Sequence, residues 1–264
     1  MIARSVFGAV IGVLLLWSPL VAAFDCGQQP IKVAFYQFGL LYDQGKGIDK
    51  DVIDELQKRT RCQFAIQVMP RARIWADLAS GQLDMSVSAV ATPEREQFAR
   101  FIPYLAGRNR TILDKKTAAR VKTAEQFLQL KEAQFAAVRS IKHGKDYDLF
   151  LDQLRMQQRV QDSPDLDATF SKLREGRVQG IFAQSVLYRY ELRKLNMEQQ
   201  VEVQNWFPND QGVKAGLVLA KSRFSAEQAQ AWQSQIIAMR TDGTLYKICR
   251  QYLPEAEVMQ LLDF

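Results

Sequence analysis

The first half of the chain alternates short apolar runs with segments of helical spacing. The runs over residues 31–36, 64–69 and 83–90 are rich in strand-forming residues. Between them, the apolar residues of 49–60 and 70–80 recur at intervals of three and four, which is typical of helices. This β-α-β-α-β order predicts parallel strands joined by crossover helices.

The same pattern begins again after residue 130. The strand-like runs are "AQFAAVRS", "RVQD" and "VQGIFA", and a helical segment follows each of them. A further run, "VKAGLVLAKS", precedes a long helix over 225–240 and a final helix. Two short strand-like crossings near 105–112 and 208–216 link the halves. We therefore expect an α/β protein of two lobes, each a mostly parallel sheet flanked by helices.

The amino-terminal segment has the layout of a secretory signal. Arg4 gives it a positive start, residues 6–17 are apolar and uncharged, and Pro19 precedes small residues up to Ala23. We expect cleavage after Ala23, which leaves 241 of the 264 residues as a periplasmic protein. The alternative is an uncleaved membrane anchor, for which the 18-residue segment ending at Ala23 is at the short limit.

The charge of the chain excludes one class of partner. The formal net charge is +6, or +5 without Arg4, and no block of five or six like charges occurs. Nucleic acid is therefore not an expected partner, whereas a mildly basic protein suits a small anionic ligand. No later run of 18 apolar residues occurs, so we expect a soluble exported monomer.

The three cysteines predict one disulfide bond, because a bonded pair persists in an oxidising compartment. Cys26 precedes the first strand-like run and Cys62 precedes the second. If these strands are parallel neighbours, both cysteines lie at the same end of the sheet and can bond, which leaves Cys249 as a buried free thiol. His143 is the only histidine, and no cluster has the spacing of metal ligands. Neither a metal nor another cofactor is therefore expected.

A candidate ligand site follows the strand-like run that ends at Val90. Thr92 is a favoured N-cap and Pro93 a favoured first helical residue, so a helix is expected to begin here. The first turn of a helix exposes free N–H groups, and the planar fork of Arg95 suits a carboxylate or a phosphate. Together these features predict an anion site at the carboxyl edge of the sheet. The alternative is a surface ion pair between Arg95 and a neighbouring glutamate.

The stretch "GQLDMSVSAVATPEREQFARFIPY" carries a Gly-x-x-Asp strand, then Thr-x-x-Arg, then Phe101, Pro103 and Tyr104. Three further stretches occur around it in the chain, "GKGIDKDVIDEL", "KLREGRVQGIFAQS" and "MRTDGTLYKICRQYL". In content and order these stretches resemble family 3 periplasmic solute-binding proteins, which serve amino-acid ABC transporters. The matches are spread over nearly all of the chain after residue 23.

The resemblance implies a two-lobe periplasmic-binding-protein clamshell of type II. Its first lobe would comprise residues 24–108 and 213–264, and its second lobe residues 109–212. A small-molecule ligand would bind between the lobes, which close on a hinge. The closed protein would then hand the ligand to a membrane ABC permease.

The resemblance also implies particular ligand contacts. In the family, the arginine of Thr-x-x-Arg holds the α-carboxylate of the ligand, a role that falls here to Arg95. Ser88 and Ala89, just before Arg95, would offer backbone or hydroxyl contacts. A helix start in the second lobe would present the N–H groups of Gly144 and Lys145. An aromatic ring after the first strand, Tyr36 or Phe38, would pack on the ligand.

The site departs from the family in its charges. Gln184 stands where the family commonly has an aspartate that holds the α-ammonium group of the ligand. In addition, "PRARI" places Arg71 and Arg73 at a helix start that borders the site by alignment; the alternative is that both arginines face solvent. A site with less negative and more positive charge favours an acidic or other anionic solute over a zwitterionic amino acid.

Three classes of function fit this scaffold, and a binding protein without enzymatic activity is the leading interpretation. An enzyme such as a dehydratase needs a general acid or base in the cleft, and the candidates His143, Asp43 and Asp49 form no recognisable catalytic pair. A sensor that docks on a membrane receptor would use the same closed form. The remaining aromatic residues, Trp75 among them, are expected in the core.

Overall fold

The computed structural model describes residues 24–139 and 143–264. The predicted signal segment, residues 1–23, lies outside the described residues. Within them, the strands form two separate five-stranded sheets, and no helix combines the length and the apolar character needed to cross a membrane.

The elements are numbered here in chain order. The strands are β1 (Ile31–Phe35), β2 (Phe64–Val68), β3 (Met85–Ala89), β4 (Ala99–Gly107), β5 (Asn109–Asp114), β6 (Phe135–Val138), β7 (Val160–Ser163), β8 (Gly180–Gln184), β9 (Val201–Gln204) and β10 (Val213–Ala220). The helices are α1 (Ile48–Thr60), α2 (Arg71–Ser80), α3 (Pro93–Glu96), α4 (Lys115–Arg120), α5 (Ala124–Gln129), α6 (Lys145–Met156), α7 (Leu166–Arg174), α8 (Ser185–Lys194), α9 (Ala226–Thr241), α10 (Thr244–Arg250) and α11 (Glu255–Leu262).

The first sheet has the strand order β2-β1-β3-β10-β4. Strand β1 pairs in parallel with β2 and β3, whereas β10 runs antiparallel to β3 and β4. The parallel part arises from the predicted crossover helices α1 and α2, because a crossover returns the chain in the same direction. This sheet and the helices α1–α3 and α9–α11 are called lobe 1 below.

The second sheet has the order β7-β6-β8-β5-β9 and repeats this arrangement. Strand β6 is parallel to β7 and β8, and β5 is antiparallel to β8 and β9. This sheet and the helices α4–α8 are called lobe 2. The chain passes from β4 of lobe 1 directly into β5 of lobe 2 through Arg108, and it returns between β9 and β10. Because each sheet contains both parallel and antiparallel pairs, both sheets are mixed rather than purely parallel.

The chain after Thr92 differs from its sequence pattern. The predicted helix begins there, and the Thr92 hydroxyl accepts a hydrogen bond from the Arg95 backbone N–H at 3.4 Å. However, it ends after a single turn at Glu96, and the nine-residue strand β4 follows. The reason is strand pairing. Residues 99–107 of β4 pair with β10 on both sides of a bulge at Tyr104, and this ladder outweighs the local helical preference.

The predicted disulfide bond joins Cys26 and Cys62, with 5.3 Å between their Cα atoms. The bond forms for the predicted reason, that the strands after the two cysteines are parallel neighbours. Strands β1 and β2 pair in parallel, with Ile31 in register with Phe64. Cys249 is a buried free thiol in α10, also as predicted.

Candidate functional site

The carboxyl ends of β1 and β3 meet in lobe 1 and place Tyr36 beside Ser88. The Tyr36 hydroxyl donates to the Ser88 carbonyl at 3.3 Å. Near this point β3 has a bulge where it pairs with β10. Gly216 pairs with Ala89 and Val218 pairs with Ser86, so a step of two residues along β10 corresponds to three along β3. Bulges of this kind occur beside functional sites because they change the direction of the backbone.

Ser88 lies in the bulge with a positive φ of 47°. A residue with a side chain rarely adopts this left-handed conformation, which costs about 1–2 kcal/mol. Its hydroxyl donates to an Asp49 carboxylate oxygen at 2.6 Å, so that the side chain is fixed from the start of α1. The bulge sets the direction in which Ala89 and Val90 leave the sheet toward Arg95.

Asp49 is a buried carboxyl group beneath this strand end. Only 1% of the residue is exposed, and its second oxygen accepts a hydrogen bond from the Tyr104 hydroxyl. Burial raises the pKa of Asp49 to about 7, and the two hydroxyl donors offset only part of this effect. In the sequence, Asp49 is part of a helix start that resembles the family and is a candidate acid or base, but its role as the acceptor that fixes Ser88 is not predicted.

Arg95 lies close to this strand end in a defined conformation. Its Nη1 donates to the Val90 carbonyl at 2.9 Å, and its guanidinium carbon lies 3.8 Å from the centre of the Trp75 ring. Burial, and next the positive charge of Arg71, lower the pKa of Arg95. The alternative, a surface ion pair of Arg95 with a neighbouring glutamate, does not form within 4.0 Å among the described residues.

Trp75 was expected to be a core residue, and it has a second role. It packs partly on a core cluster of lobe 1 and also supports the Arg95 guanidinium. Trp75 is one helical turn after Arg71 on α2, so both residues lie on the same face of that helix. That spacing was the signal in the sequence that could have linked Trp75 to the site.

Arg71 and Arg73 have different surroundings. The Arg71 guanidinium carbon lies 5.4 Å from the ring centre of Tyr36 and 5.9 Å from that of Phe38. The centres of these two rings are 5.2 Å apart. Arg73 instead forms an ion pair with Asp77 on its own helix, and its side chain is 70% exposed. The structure therefore brings Arg71 to the predicted site residues and leaves Arg73 beside Asp77.

In lobe 2, the start of α6 provides the predicted residues Gly144 and Lys145. Gly144 is the N-cap with a φ of 114°, a conformation that favours glycine, and Lys145 is exposed. Preceding them, His143 is only 6% exposed, and its ring packs edge-on against Phe182. Burial lowers the pKa of His143 to about 4, so this imidazole is neutral near pH 7.

Gln184 ends β8 beside the crossing between the lobes. A Cβ atom added to Gly107 would lie 2.1 Å from Oε1 of Gln184, so this glutamine packs directly on the Gly107 backbone. A side chain at position 107 would displace the end of the Gln184 side chain. The neutral amide is thus placed where the chain passes from lobe 1 to lobe 2.

The site brings positively charged groups and aromatic rings together. Two arginines, three aromatic rings and a bulged strand end meet at the carboxyl edge of the first sheet, while the described residues contain no group of His, Cys, Asp or Glu suited to a metal ion. Two mixed α/β sheets linked by short crossings, with such a site at the sheet edge, define a two-lobe solute-binding fold.

Comparison with known families gives the same result. The model of "Bacterial extracellular solute-binding proteins, family 3" matches residues 31–255, and the chain belongs to this family. Its match covers both lobes, as the resemblance of the sequence motifs implied. A comparison with curated protein sequences gives no significant match.

Solved structures share the fold at low sequence identity. The GluR0 ligand-binding core in complex with L-glutamate is 17% identical with a TM-score of 0.67, over 86% of this chain and 99% of the other. An ancestral arginine-binding protein bound to arginine is 18% identical with a TM-score of 0.63, over 86% and 99%. The L-cystine solute receptor of Neisseria gonorrhoeae, in an unliganded open conformation, is 17% identical with a TM-score of 0.63, over 84% and 92%. These similarities establish the type II clamshell fold.

Proposed function

We propose that this chain is a periplasmic solute-binding protein that captures a small anionic or amino-acid-like solute between its lobes and delivers it to an ABC importer. The observation that carries the proposal is Arg95, which is held on Trp75 at the sheet edge without a carboxylate within 4.0 Å among the described residues. A guanidinium has five N–H donors, and Arg95 uses one of them on Val90. The others are available to a carboxylate of the solute.

Binding without catalysis is supported by the surroundings of the candidate acid–base groups. Asp49 is enclosed and accepts from two hydroxyl groups. His143 is buried with an unpartnered Nε2 and packs against Phe182, and Asp43 accepts a hydrogen bond from Tyr190 at 3.2 Å. We expect a bound solute to be recovered chemically unchanged after prolonged incubation, which mass spectrometry can measure.

The first experiment is a thermal-shift screen against amino acids, dicarboxylates, opines and phosphorylated compounds. A solute at 100 times its Kd adds about 2.7 kcal/mol to the free energy of unfolding, which raises Tm by roughly 5–11 °C in a protein of this size. Calorimetric titration then gives the affinity of each hit. A screen without any shift at millimolar solute would contradict the proposal.

The Arg95→Ala variant tests the site itself. We expect it to fold and to lose about 2–4 kcal/mol of binding free energy, because a charged partner is removed from a desolvated pair. Arg73→Ala is the matched control, since Arg73 pairs with Asp77 and should leave affinity unchanged. Equal affinities of wild-type protein and Arg95→Ala for the solute would show that the site is elsewhere.

Export is the remaining part of the proposal. The protein recovered from the periplasmic fraction should begin at Phe24, because the predicted cleavage follows Ala23. Amino-terminal sequencing measures this directly. A protein that retains residues 1–23 in the membrane fraction would instead indicate the uncleaved anchor.

A further inference from the structure

Arg71 and Arg95 place two positive charges on the same wall of lobe 1. Arg71 lies over Tyr36 and Phe38, and Arg95 lies over Trp75. Arg71 and Trp75 lie one turn apart on the same face of α2, which brings the two guanidinium groups to the same end of that helix. Burial, and next the positive charge of Arg71, lower the pKa of Arg95. The two guanidinium groups therefore form one site.

Neither charge is neutralised by the part of the chain that the structure describes. No carboxylate lies within 4.0 Å of either guanidinium among residues 24–139 and 143–264. Glu94 and Glu96, which flank Arg95 in the sequence, are among the carboxylates outside that distance. Asp49 is enclosed and bound by Ser88 and Tyr104. A bound solute must therefore supply the negative charge.

Most N–H groups of the two guanidinium groups have no hydrogen-bond partner among the described residues. The Arg95 guanidinium lies 3.8 Å from the centre of the Trp75 ring, so its flat face packs on the ring and its N–H groups point away from it. Arg71 donates no hydrogen bond to the described residues, and Arg95 donates one from its side chain. Each guanidinium can thus bind a carboxylate through two parallel hydrogen bonds. The rings of Tyr36, Phe38 and Trp75 provide apolar surface for the carbon chain between two such groups.

We propose that Arg71 is a second anion-binding group and that the solute is a small dicarboxylate or acidic amino acid, with one carboxylate on Arg95 and the other on Arg71. This inference rests on the proposed function, because it takes Arg95 as the first anchor. It goes further by assigning the second carboxylate to a residue of α2. β8 ends at Gln184, a neutral amide packed on Gly107, and therefore contributes no carboxylate there.

Matched pairs of solutes test this assignment. Succinate and glutarate are titrated against succinamate and glutaramate, and aspartate and glutamate against asparagine and glutamine, so that each pair differs by one carboxylate. At least one dicarboxylate should bind wild-type protein about 10- to 100-fold more tightly than its monoamide, the range expected for a charge-assisted hydrogen-bonded pair. If no dicarboxylate of the series binds, or if monoamides bind equally well, the assignment is wrong.

Variants then locate the second carboxylate. Arg71→Gln should remove the preference for the dicarboxylate and leave monoamide affinity within about threefold, because only the second group loses its partner. Arg95→Gln should weaken both members of the pair. Arg73→Gln removes the same charge from the same helix and should change neither affinity. All three variants should keep the wild-type Tm within a few degrees, since these side chains are not core residues.

The outcomes separate this inference from the proposed function. If Arg71→Gln weakens the affinity for the dicarboxylate and the monoamide equally, or weakens neither, the role of Arg71 is wrong, while binding that depends on Arg95 still stands. Equal affinity of Arg95→Gln and wild-type protein for every solute that binds would overturn the proposed function as well.

Discussion

Ser88 and Asp49 show how a buried carboxyl group supports a binding site that it does not touch. The Asp49 carboxylate accepts from the Ser88 and Tyr104 hydroxyls, and Ser88 adopts a left-handed conformation at the bulge of β3. This hydrogen bond offsets part of the conformational cost at Ser88, because a buried intramolecular hydrogen bond contributes about 0.5–1.5 kcal/mol.

The raised pKa of Asp49 predicts a pH dependence of stability. Its pKa is about 7 in the folded protein and about 3.9 when unfolded, so the stabilising contribution is complete below pH 4 and is lost as the pH rises to 7. Asp49→Asn does not titrate but keeps one acceptor for Tyr104 and a donor for Ser88. We expect the variant to gain up to about 4 kcal/mol relative to wild-type protein between pH 4 and pH 8.

Urea denaturation at pH 4.5, 6 and 8 measures this difference. His143 acts in the opposite direction, because its pKa of about 4 lies below the unfolded value and stability is lost as the pH falls through this range. That effect is common to both proteins and cancels in the comparison. Parallel stability curves for the variant and the wild-type protein would show that Asp49 has the same protonation in the folded and unfolded states.

At the scale of elements, the Cys26–Cys62 bond fixes the start of β1 to the segment between α1 and β2. The bond closes a loop with a sequence separation of 36 residues. By the loop-entropy relation such a cross-link contributes about 4 kcal/mol, because it restricts the unfolded chain. The disulfide therefore contributes an appreciable part of the stability of a domain of this kind.

Cys26→Ser should lower the free energy of unfolding by about 3–4 kcal/mol and Tm by roughly 6–15 °C. Reduction of the wild-type protein should have the same effect, and reductant should not change the variant further. Burial raises the pKa of the Cys249 thiol to about 12, so it stays protonated and does not exchange with the disulfide. A Tm of wild-type protein that does not respond to reductant would contradict this account, and differential scanning calorimetry measures it.

At the scale of the whole molecule, α8 of lobe 2 is anchored in lobe 1. Val186 is fully buried in the main core cluster of lobe 1, and its carbonyl accepts from the Leu40 backbone N–H at 2.9 Å. Further along α8, Arg189 forms an ion pair with Glu257 of α11. The lobes are thus joined by packing in addition to the two chain crossings.

This shared core predicts a single cooperative unfolding transition. Val186→Ala should cost about 2 kcal/mol and lower the Tm of the whole molecule, because the cavity lies in lobe 1 although the residue belongs to lobe 2. Val203→Ala is the control, since Val203 is 37% exposed and should cost less than about 0.5 kcal/mol. Two separate calorimetric transitions in the wild-type protein, or equal effects of the two variants, would show that the lobes unfold independently.

The sequence by itself determined most of the elements and the first anchor of the site. Strands such as β1 and β3 and helices such as α1 and α6 follow from spacing within a few residues, and Thr92, Pro93 and Arg95 carry their own turn chemistry. The Cys26–Cys62 pair followed from one further step, the parallel neighbourhood of β1 and β2. Each of these features depends on residues close together in the sequence, or on the pairing of two neighbouring strands. A single sequence is therefore enough to predict them.

The tertiary structure alone decided which side chains meet. Arg71 and Arg73 are two residues apart, or about 200° around a helix, and only the packing of α2 against the sheet sets which of them reaches Tyr36. The single turn of α3 was likewise decided by the pairing of β4 with β10, and the burial of Asp49 by Ser88 and Tyr104 from distant parts of the chain. Periodicity gives the face of a helix that is apolar, whereas the partner of each polar side chain depends on how separate elements dock.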